Sequence, residues 1–395
     1  MKRRAPFLLA VEVLAIVVFS AVYDSLDFRI YWLGGHAVTE GSGLYRAQLA
    51  DHYFTNTPFM AALFVPLAEL PLLLARMLWQ MASLGAFIAA CALTVRMAGR
   101  RVPLVPVVAA GLLLQPVWQS FFLGQVNLFL LALVLADLHR IARGRPAGIG
   151  IGLATAIKLT PAAFVVLLLL SRRTKDAVTA TATFAVCTLL AYAVAPDASR
   201  LYWLHTFYDT SRVGVPYISN QSPYGALARV SGGTAEIGGW YTVVPLTAGI
   251  SGLALAAAWA RRGDWLSATA AAGATGLLVS PISWAHHWVW IVPALAVLLR
   301  NGHRKSAAAA FVLFAVSPLW WTPHGGGPRE YGVHLLLAPV ANCYLLAGLA
   351  FLAYMALRLR VTPPVPSSGR DGPPRPVPCA AASRAVRDPE RVPGG

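Results

Sequence analysis

Residues 1–23, MKRRAPFLLAVEVLAIVVFSAVY, place a basic N-terminus ahead of an apolar run of about 18 residues, which is enough for one helical crossing of a bilayer. The run lacks the small-x-small cleavage site of a signal peptide, so we expect it to remain as the first membrane span. The rest of the chain agrees, because 57% of its 395 residues are hydrophobic and only 12% are charged. Soluble proteins have about a quarter of their residues charged. The sequence therefore predicts an all-α, polytopic membrane protein.

Basic residues set the predicted orientation. The net charge of +16 comes from short Arg and Lys clusters between apolar runs, which is typical of cytoplasmic loops. We therefore expect a multi-pass protein of the plasma membrane with both termini in the cytoplasm, and we expect no nucleic-acid binding. The four cysteines have neither disulfide spacing nor metal-ligand spacing, and no metal or other cofactor is expected.

Between the basic clusters the sequence accommodates about 12 helices, some of them short or re-entrant. Residues 58–71 contain three prolines and are predicted to lie at the interface or to re-enter the membrane. Residues 147–170 are predicted to form a hairpin of two short helices around Lys158. Non-helical backbone at membrane depth needs protein or water around it, so these two places predict a cavity on the outer face. The other helices are predicted at residues 6–23, 75–96, 103–118, 123–139, 177–195, 240–260, 265–279, 286–299, 306–321 and 334–357.

The predicted topology divides the chain into a membrane domain, residues 1–361, and a disordered cytoplasmic tail, residues 362–395, that is rich in Pro, Gly and Arg. The membrane domain sends two long loops, residues 24–74 and 196–239, to the outer side. Varied polar residues collect on this side, whereas the cytoplasmic loops are short and basic. We therefore expect an extracytoplasmic active site.

Asp27 follows the first span in the segment DSLDFRIYW, residues 24–32. A carboxylate just outside a membrane can take a proton from a bound hydroxyl, although an interfacial acid can also hydrate the end of a helix beside aromatic residues. Asp24 is an alternative for the same role. Arg29 and Tyr31 are neighbouring candidates for substrate binding.

Lys158 lies in an apolar hairpin, where a lysine costs roughly 2.5 to 3.5 kcal/mol if it sits near the bilayer centre. Such a residue usually marks a site, unless it snorkels to the outer interface. Gln125 and Asn127 either cap a helix or offer donors and acceptors to sugar hydroxyls. Asn220 and Gln221 are further candidates for binding, with ordinary loop polarity as the alternative.

The segment SPISWAHHW, residues 280–288, adds Ser283, Trp284, His286 and His287 as candidates for substrate binding. Adjacent histidines point about 100° apart on a helix, so this pair is poorly suited to hold one metal ion. One histidine at a helix N-terminus is instead suited to an anion.

Taken in order, five motifs resemble glycosyltransferase family 87: Asp27-Phe-x-x-Tyr31-Trp, Gly124-Gln-x-Asn127, Lys158-Leu-Thr-Pro161, Asn220-Gln-Ser222 and Ser280-Pro-Ile-Ser-Trp-x-His-His287. This resemblance implies a GT-C membrane fold. It also implies an inverting enzyme that transfers mannose from polyprenyl-phosphate-mannose to a glycolipid or lipoglycan acceptor, with Asp27 as the catalytic base. The chain departs from the family pattern at Asn56-Thr57-Pro58-Phe59, where an aromatic-rich segment is expected.

The residues suit this chemistry independently of the family resemblance. In-line displacement of a phosphate needs a base for the incoming hydroxyl and a cationic cradle for the leaving group, and Asp27 with Lys158, His286 and His287 offers both. A secondary transporter is an alternative that should show internal symmetry and midplane charges. A membrane scaffold would have no need of Lys158 beside a broken hairpin. A relative that uses another polyprenyl-phosphate sugar is a further alternative.

Overall fold

The computed structural model describes residues 4–41, 43–235, 237–331, 333 and 336–361, and the tail predicted at residues 362–395 lies outside the described residues. The described chain is all-α apart from one hairpin, in which β1 (Gln48–Leu49) pairs antiparallel with β2 (His52–Tyr53). Its α-helices are α1 (Arg4–Val22), α2 (Leu26–Thr39), α3 (Pro58–Ala68), α4 (Leu72–Met97), α5 (Leu104–Leu112), α6 (Gln115–Leu123), α7 (Asn127–Ala142), α8 (Ile149–Ile157), α9 (Ala162–Leu170), α10 (Thr174–Val194), α11 (Pro196–Leu201), α12 (Pro223–Ser231), α13 (Val243–Arg261), α14 (Trp265–Val279), α15 (Ile291–Arg300), α16 (Arg304–Val316), α17 (Ala338–Ala341) and α18 (Cys343–Val361).

Five helices are long and apolar enough to cross a membrane, namely α1, α4, α10, α18 and α13 with the 3-10 turn that precedes it. These helices confirm the spans predicted near the same residues, although α18 begins later than predicted. The other apolar helices of the described chain are shorter. The protein is therefore a membrane protein with an all-α fold, and the number of about 12 spans stays a prediction.

The helix predicted at residues 103–118 is broken in the structure. The chain there forms α5 and α6, whose axes differ in direction by 71°. Pro116 explains the break, because its ring has no N–H and clashes with a helical carbonyl one turn earlier. Leu114 accordingly has extended backbone angles between the two helices. The span predicted at residues 286–299 likewise starts as a 3-10 helix, Ala285–Trp290, before α15.

The hairpin predicted at residues 147–170 is confirmed, with α8 and α9 separated by residues 158–161. Lys158 ends α8 in an extended conformation, and Pro161 precedes α9. Two buried carboxylates hold the start of α8, since Asp137 accepts from the backbone N–H of Gly148 and Ile151 and Asp176 accepts from that of Ala147. The lysine is thus placed by a helix that is fixed at its other end.

The long loop predicted at residues 24–74 is largely structured, as it contains α2, the β-hairpin and α3. An aromatic cluster packs these elements against α4: the rings of Phe28 and Phe64 are 5.8 Å apart, and those of Phe64 and Trp79 are 4.8 Å apart. Trp79 also donates a hydrogen bond to the carbonyl of Gly124. This cluster brings the first turn of α2 against the start of α7.

Candidate active site

Asp27 lies in the first turn of α2, directly after the break that ends α1. Its side chain is half-buried, and this burial raises the pKa of its carboxyl above the ordinary value. A hydrogen bond from Gln125 and the positive charge of Lys158 oppose the increase. A carboxylate with a raised pKa holds a proton more strongly than an exposed one, so Asp27 is suited to act as a base.

Asp24 occupies a different environment. It accepts hydrogen bonds from Arg29 at 2.8 Å and from Arg76 at 3.2 Å. Arg76 is buried and also donates to the carbonyl of Ser20, so the cluster ties the end of α1 to α4. The structure therefore pairs two predicted site residues, Asp24 and Arg29, with each other and not with Lys158.

Gly124 positions Gln125 beside α2. It ends α6 with a left-handed φ of 71°, and a Cβ there would lie 2.5 Å from the Cβ of Phe28. Only glycine fits both conditions. The side-chain carbonyl of Gln125 accepts from the hydroxyl of Tyr31 at 2.9 Å, while Asp27 takes a hydrogen bond from the same side chain. Gln125 thus joins two predicted site residues and caps no helix.

Lys158 and His287 form a direct contact. The ammonium Nζ donates to His287 Nε2 at 2.8 Å, so this nitrogen carries no proton of its own. Burial lowers the pKa of Lys158 to about 8, and the negative charge of Asp27 opposes the decrease. An ammonium has three donors, and His287 is its one hydrogen-bond partner among the described residues. Two donors are therefore available for an anion.

A cavity of about 540 Å³ opens beside this pair. Lys158, His287 and Trp284 line it on one side. Helices α9, α13 and α14 form an apolar side, which includes Val166 and Leu253. Asp27 is not among the residues that line it. The cavity thus combines a cationic end with an apolar wall, which suits a phosphate attached to a lipid chain.

Arg212 also lines the cavity, and sequence reasoning missed it. Its Nη2 donates to the carbonyl of Tyr45 at 2.7 Å, and its guanidinium lies 4.2 Å from the ring centroid of Tyr53. Its Nε is buried and has no hydrogen-bond partner in the described part of the chain. A single arginine in a long loop carries no sequence signal of this role, because the role depends on the approach of residues 45–53.

Thr57 is a second residue that sequence reasoning missed. Its hydroxyl donates to the carbonyl of Ala156, lies 3.2 Å from that of Ile157, and accepts from the N–H of Met60 to cap α3. The contact with α8 is therefore made immediately before Lys158. The segment that departs from the family pattern, Asn56-Thr57-Pro58-Phe59, supports the lysine from this side.

Asn220 and Gln221 are fully buried, and the backbone uses their amides completely. Asn220 Nδ2 donates to the carbonyls of Val215 and Pro281, and its Oδ1 accepts from the N–H of Ser283 at 2.9 Å. Gln221 also donates from its backbone to Ser283, and its side chain contacts Ala341 and Tyr344. These residues therefore hold the loop against residues 280–284. Of the predicted site residues Asn220, Gln221, Ser283 and Trp284, Trp284 lines the cavity and the other three do not.

His286 is buried next to His287, with ring centroids 4.7 Å apart. Its backbone carbonyl accepts from Asn127 Nδ2 at 3.0 Å, which ties the start of α7 to the histidine segment. Its two ring nitrogens have no hydrogen-bond partner among the described residues. Within those residues no three His, Cys, Asp or Glu side chains are grouped so that they could hold a metal ion.

Comparison with known proteins gives the same family from two directions. The sequence signature of glycosyltransferase family 87 matches residues 54–281. A polyprenol-phosphate-mannose-dependent α-(1-2)-phosphatidylinositol mannoside mannosyltransferase of Mycobacterium tuberculosis is 34% identical over 330 residues, which is 75% of this chain and 76% of the relative. The protein of that description in Mycolicibacterium smegmatis is 32% identical, over 75% of each chain. A phosphatidylinositol pentamannoside mannosyltransferase of the same organism is 31% identical over 90% of this chain and 92% of its own.

Proposed function

Because the chain belongs to glycosyltransferase family 87, we propose that it transfers mannose from polyprenyl-phosphate-mannose to a glycolipid or lipoglycan acceptor. The donor follows from the names of the relatives, all of which depend on polyprenol-phosphate-mannose. Those relatives act on phosphatidylinositol mannosides, so a lipid of this class is the first acceptor to test. The observation that carries the proposal is the electrostatic interaction between the carboxyl of Asp27 and the ammonium group of Lys158. Two N–H groups of this ammonium have no partner among the described residues, and Lys158 lines a cavity of about 540 Å³.

The donor phosphate is proposed to bind at the cationic end of the cavity. Lys158 supplies two N–H groups, and the guanidinium of Arg212, which also lines the cavity, supplies a second positive charge. Both donors are charged, and hydrogen bonds from charged donors are the stronger ones. His287 accepts from Lys158 and so aims the ammonium group. The apolar wall, which includes Val166 and Leu253, accommodates the first part of the polyprenyl chain.

Asp27 is proposed to be the general base. It takes the proton of the acceptor hydroxyl as the hydroxyl oxygen bonds to the anomeric carbon, while the bond from that carbon to the phosphate oxygen breaks. A single displacement of this kind inverts a β-linked donor to an α-linked product. The phosphate departs as an anion held by Lys158 and Arg212, so no general acid is needed. Asp24 is less suited, because two arginines already neutralise it.

We infer that the active site faces the extracytoplasmic side of the plasma membrane and that both termini are cytoplasmic. Basic residues support this orientation, since Arg96, Arg143, Arg262 and Arg300 lie at or next to the C-terminal ends of α4, α7, α13 and α15. The opposite end of α7 begins at Asn127, which contacts the histidine segment. With the short helices counted as spans, the bundle has about 12. The reaction proposed here requires no metal ion.

The test uses purified full-length protein, labelled polyprenyl-phosphate-mannose and a membrane glycolipid extract, with the product identified by mass. Asp27→Asn should abolish the labelled product while the protein remains folded. Asp24→Asn is the matched control and should retain most activity, because its carboxylate binds arginines at the end of α1. Turnover by Asp27→Asn at the wild-type rate would reject Asp27 as the base. A donor that is moved across vesicles but never transferred would indicate a transporter instead.

A further inference from the structure

The turn of the β-hairpin contains a strained residue. Ala50 and Asp51, which form the two-residue turn between β1 and β2, have left-handed φ angles of 50° and 60°. A type I′ turn needs positive φ at both positions and ordinarily uses Gly, Asn or Asp there, so Ala50 is the unfavourable residue. Strained backbone persists only where the surrounding structure imposes it, and it often accompanies function. The turn leads directly into His52, the first residue of β2.

The ring of His52 is held by its own turn and is open to solvent. Its Nδ1 lies 2.9 Å from the carbonyl oxygen of Ala50. A carbonyl oxygen only accepts, so Nδ1 carries the proton and donates the hydrogen bond. Nε2 of the neutral ring is then an acceptor, and the side chain makes no other hydrogen bond within the described residues. Because His52 is exposed, a ligand that arrives from the aqueous side reaches Nε2 directly.

The hairpin packs on the face of α2 that carries Asp27. Asp27 and Tyr31 are one helical turn apart and share this face. The ring of Phe54, directly after β2, lies 6.4 Å from that of Tyr31, and a Cβ on Gly34 would come within 2.7 Å of it. Side chains of an extended chain alternate between faces, so His52 lies on the same side as Phe54. In agreement, the charge of a protonated His52 opposes the rise in the pKa of Asp27 that burial causes.

His52 lies outside the cavity that is proposed to hold the donor. Thr55 and Asn56 line that cavity, whereas neither His52 nor Asp27 does. Asp27 is nevertheless only half-buried, so its accessible part faces another opening. The acceptor has to reach Asp27 while the donor fills the cavity, and His52 is a solvent-exposed residue beside this carboxyl. The acceptor therefore approaches past the hairpin turn.

We propose that His52 binds the acceptor sugar: Nε2 accepts a hydrogen bond from the hydroxyl next to the one that Asp27 deprotonates. The inference rests on the proposed mannosyl transfer. The α-(1-2) linkage in the names of the relatives makes the 2-hydroxyl the reacting group and the 3-hydroxyl its neighbour. Loss of one neutral hydrogen bond should raise the acceptor KM by about 2- to 13-fold.

The experiment measures initial rates of the purified full-length protein with labelled polyprenyl-phosphate-mannose. Octyl α-mannoside and its 3-deoxy counterpart are the acceptor probes, and donor and acceptor concentrations are varied separately. His52→Ala removes the proposed contact, whereas His52→Gln keeps a hydrogen-bond acceptor close to it. His205→Ala is the matched control, because His205 is also an exposed histidine and lies in the π-helical turn after α11.

Two results together support the contact. His52→Ala should raise the KM of octyl α-mannoside, with partial recovery in His52→Gln, while the donor KM stays within twofold. The 3-deoxy probe should have a higher KM than octyl α-mannoside with the wild type, and the same KM with the wild type and with His52→Ala.

Three results overturn the inference alone: an equal rise of the acceptor KM in His205→Ala, a 3-deoxy penalty that His52→Ala leaves intact, or a His52→Ala variant in which only the acidic limb of the pH profile moves. The last result would mean that His52 acts through charge and not through the sugar. A wild type that gives no labelled product with either probe or with a membrane glycolipid extract overturns the proposed function, and this inference with it.

Discussion

Replacing Lys158 with alanine should weaken donor binding by about 10- to 150-fold. One ammonium N–H is used by His287 at 2.8 Å, and the other two have no partner among the described residues. The donor phosphate therefore gains at least one charged hydrogen bond, which contributes about 1.5 to 3 kcal/mol. Loss of that amount corresponds to the stated range in Kd.

The measurement is equilibrium binding of polyprenyl-phosphate-mannose to protein that also carries Asp27→Asn, so that turnover does not consume the donor. It is made at pH 6.5, because the pKa of Lys158 is lowered to about 8 and the Asp27→Asn substitution removes the charge that opposes this decrease. Lys175→Ala is the matched control, since it removes the same charge from an exposed position at the start of α10. A Kd that Lys158→Ala leaves within twofold of this control would refute the phosphate cradle.

Three further results are expected. The pH profile should be bell-shaped: activity falls as pH drops through the raised pKa of Asp27, and it falls above about pH 8 as Lys158 loses its proton. Lys158→Arg, which stays charged, should move only the alkaline limb upward, and an unmoved limb contradicts the assignment. Thr57→Val should cost about 1 to 2 kcal/mol of stability in thermal unfolding and raise the donor Kd, unlike Thr179→Val, whose hydroxyl bonds only within α10. Activity should survive a chelator, and restoration by a divalent metal would show that the metal-free mechanism is wrong.

The sequence predicts the elements that depend on local chemistry. An apolar run after basic residues predicts α1, and a proline in an apolar hairpin predicts the break between α8 and α9. The sequence places Lys158 and His287 on the same face of the bundle. The hydrogen bond between their side chains agrees with that prediction. Burial of a lysine is costly enough to reveal a special position even without a structure.

The remaining features depend on contacts between distant parts of the chain. A sequence does not distinguish an asparagine that hydrogen-bonds to the backbone from one that binds a sugar. Asn220 is therefore predicted to bind substrate, whereas in the structure its side-chain amide donates to two backbone carbonyl groups. Arg212 reaches the cavity only because residues 45–53 pack against it. Helix α2 is not predicted either, because its adjacent glycines, Gly34 and Gly35, lower the helix propensity of a segment that the sequence assigns to an outer loop.

The hydrogen bond between Asn220 and Ser283 fixes one part of the cavity wall without any contribution from the first loop. The wall that carries His287 is fixed by buried amides, and it therefore tolerates little change without loss of folding. The first loop, which carries Tyr45 and Tyr53, is joined to the far side of the cavity through Arg212. Exchange of residues 43–53 can therefore change the position of Arg212 while the wall that carries His287 is inherited unchanged.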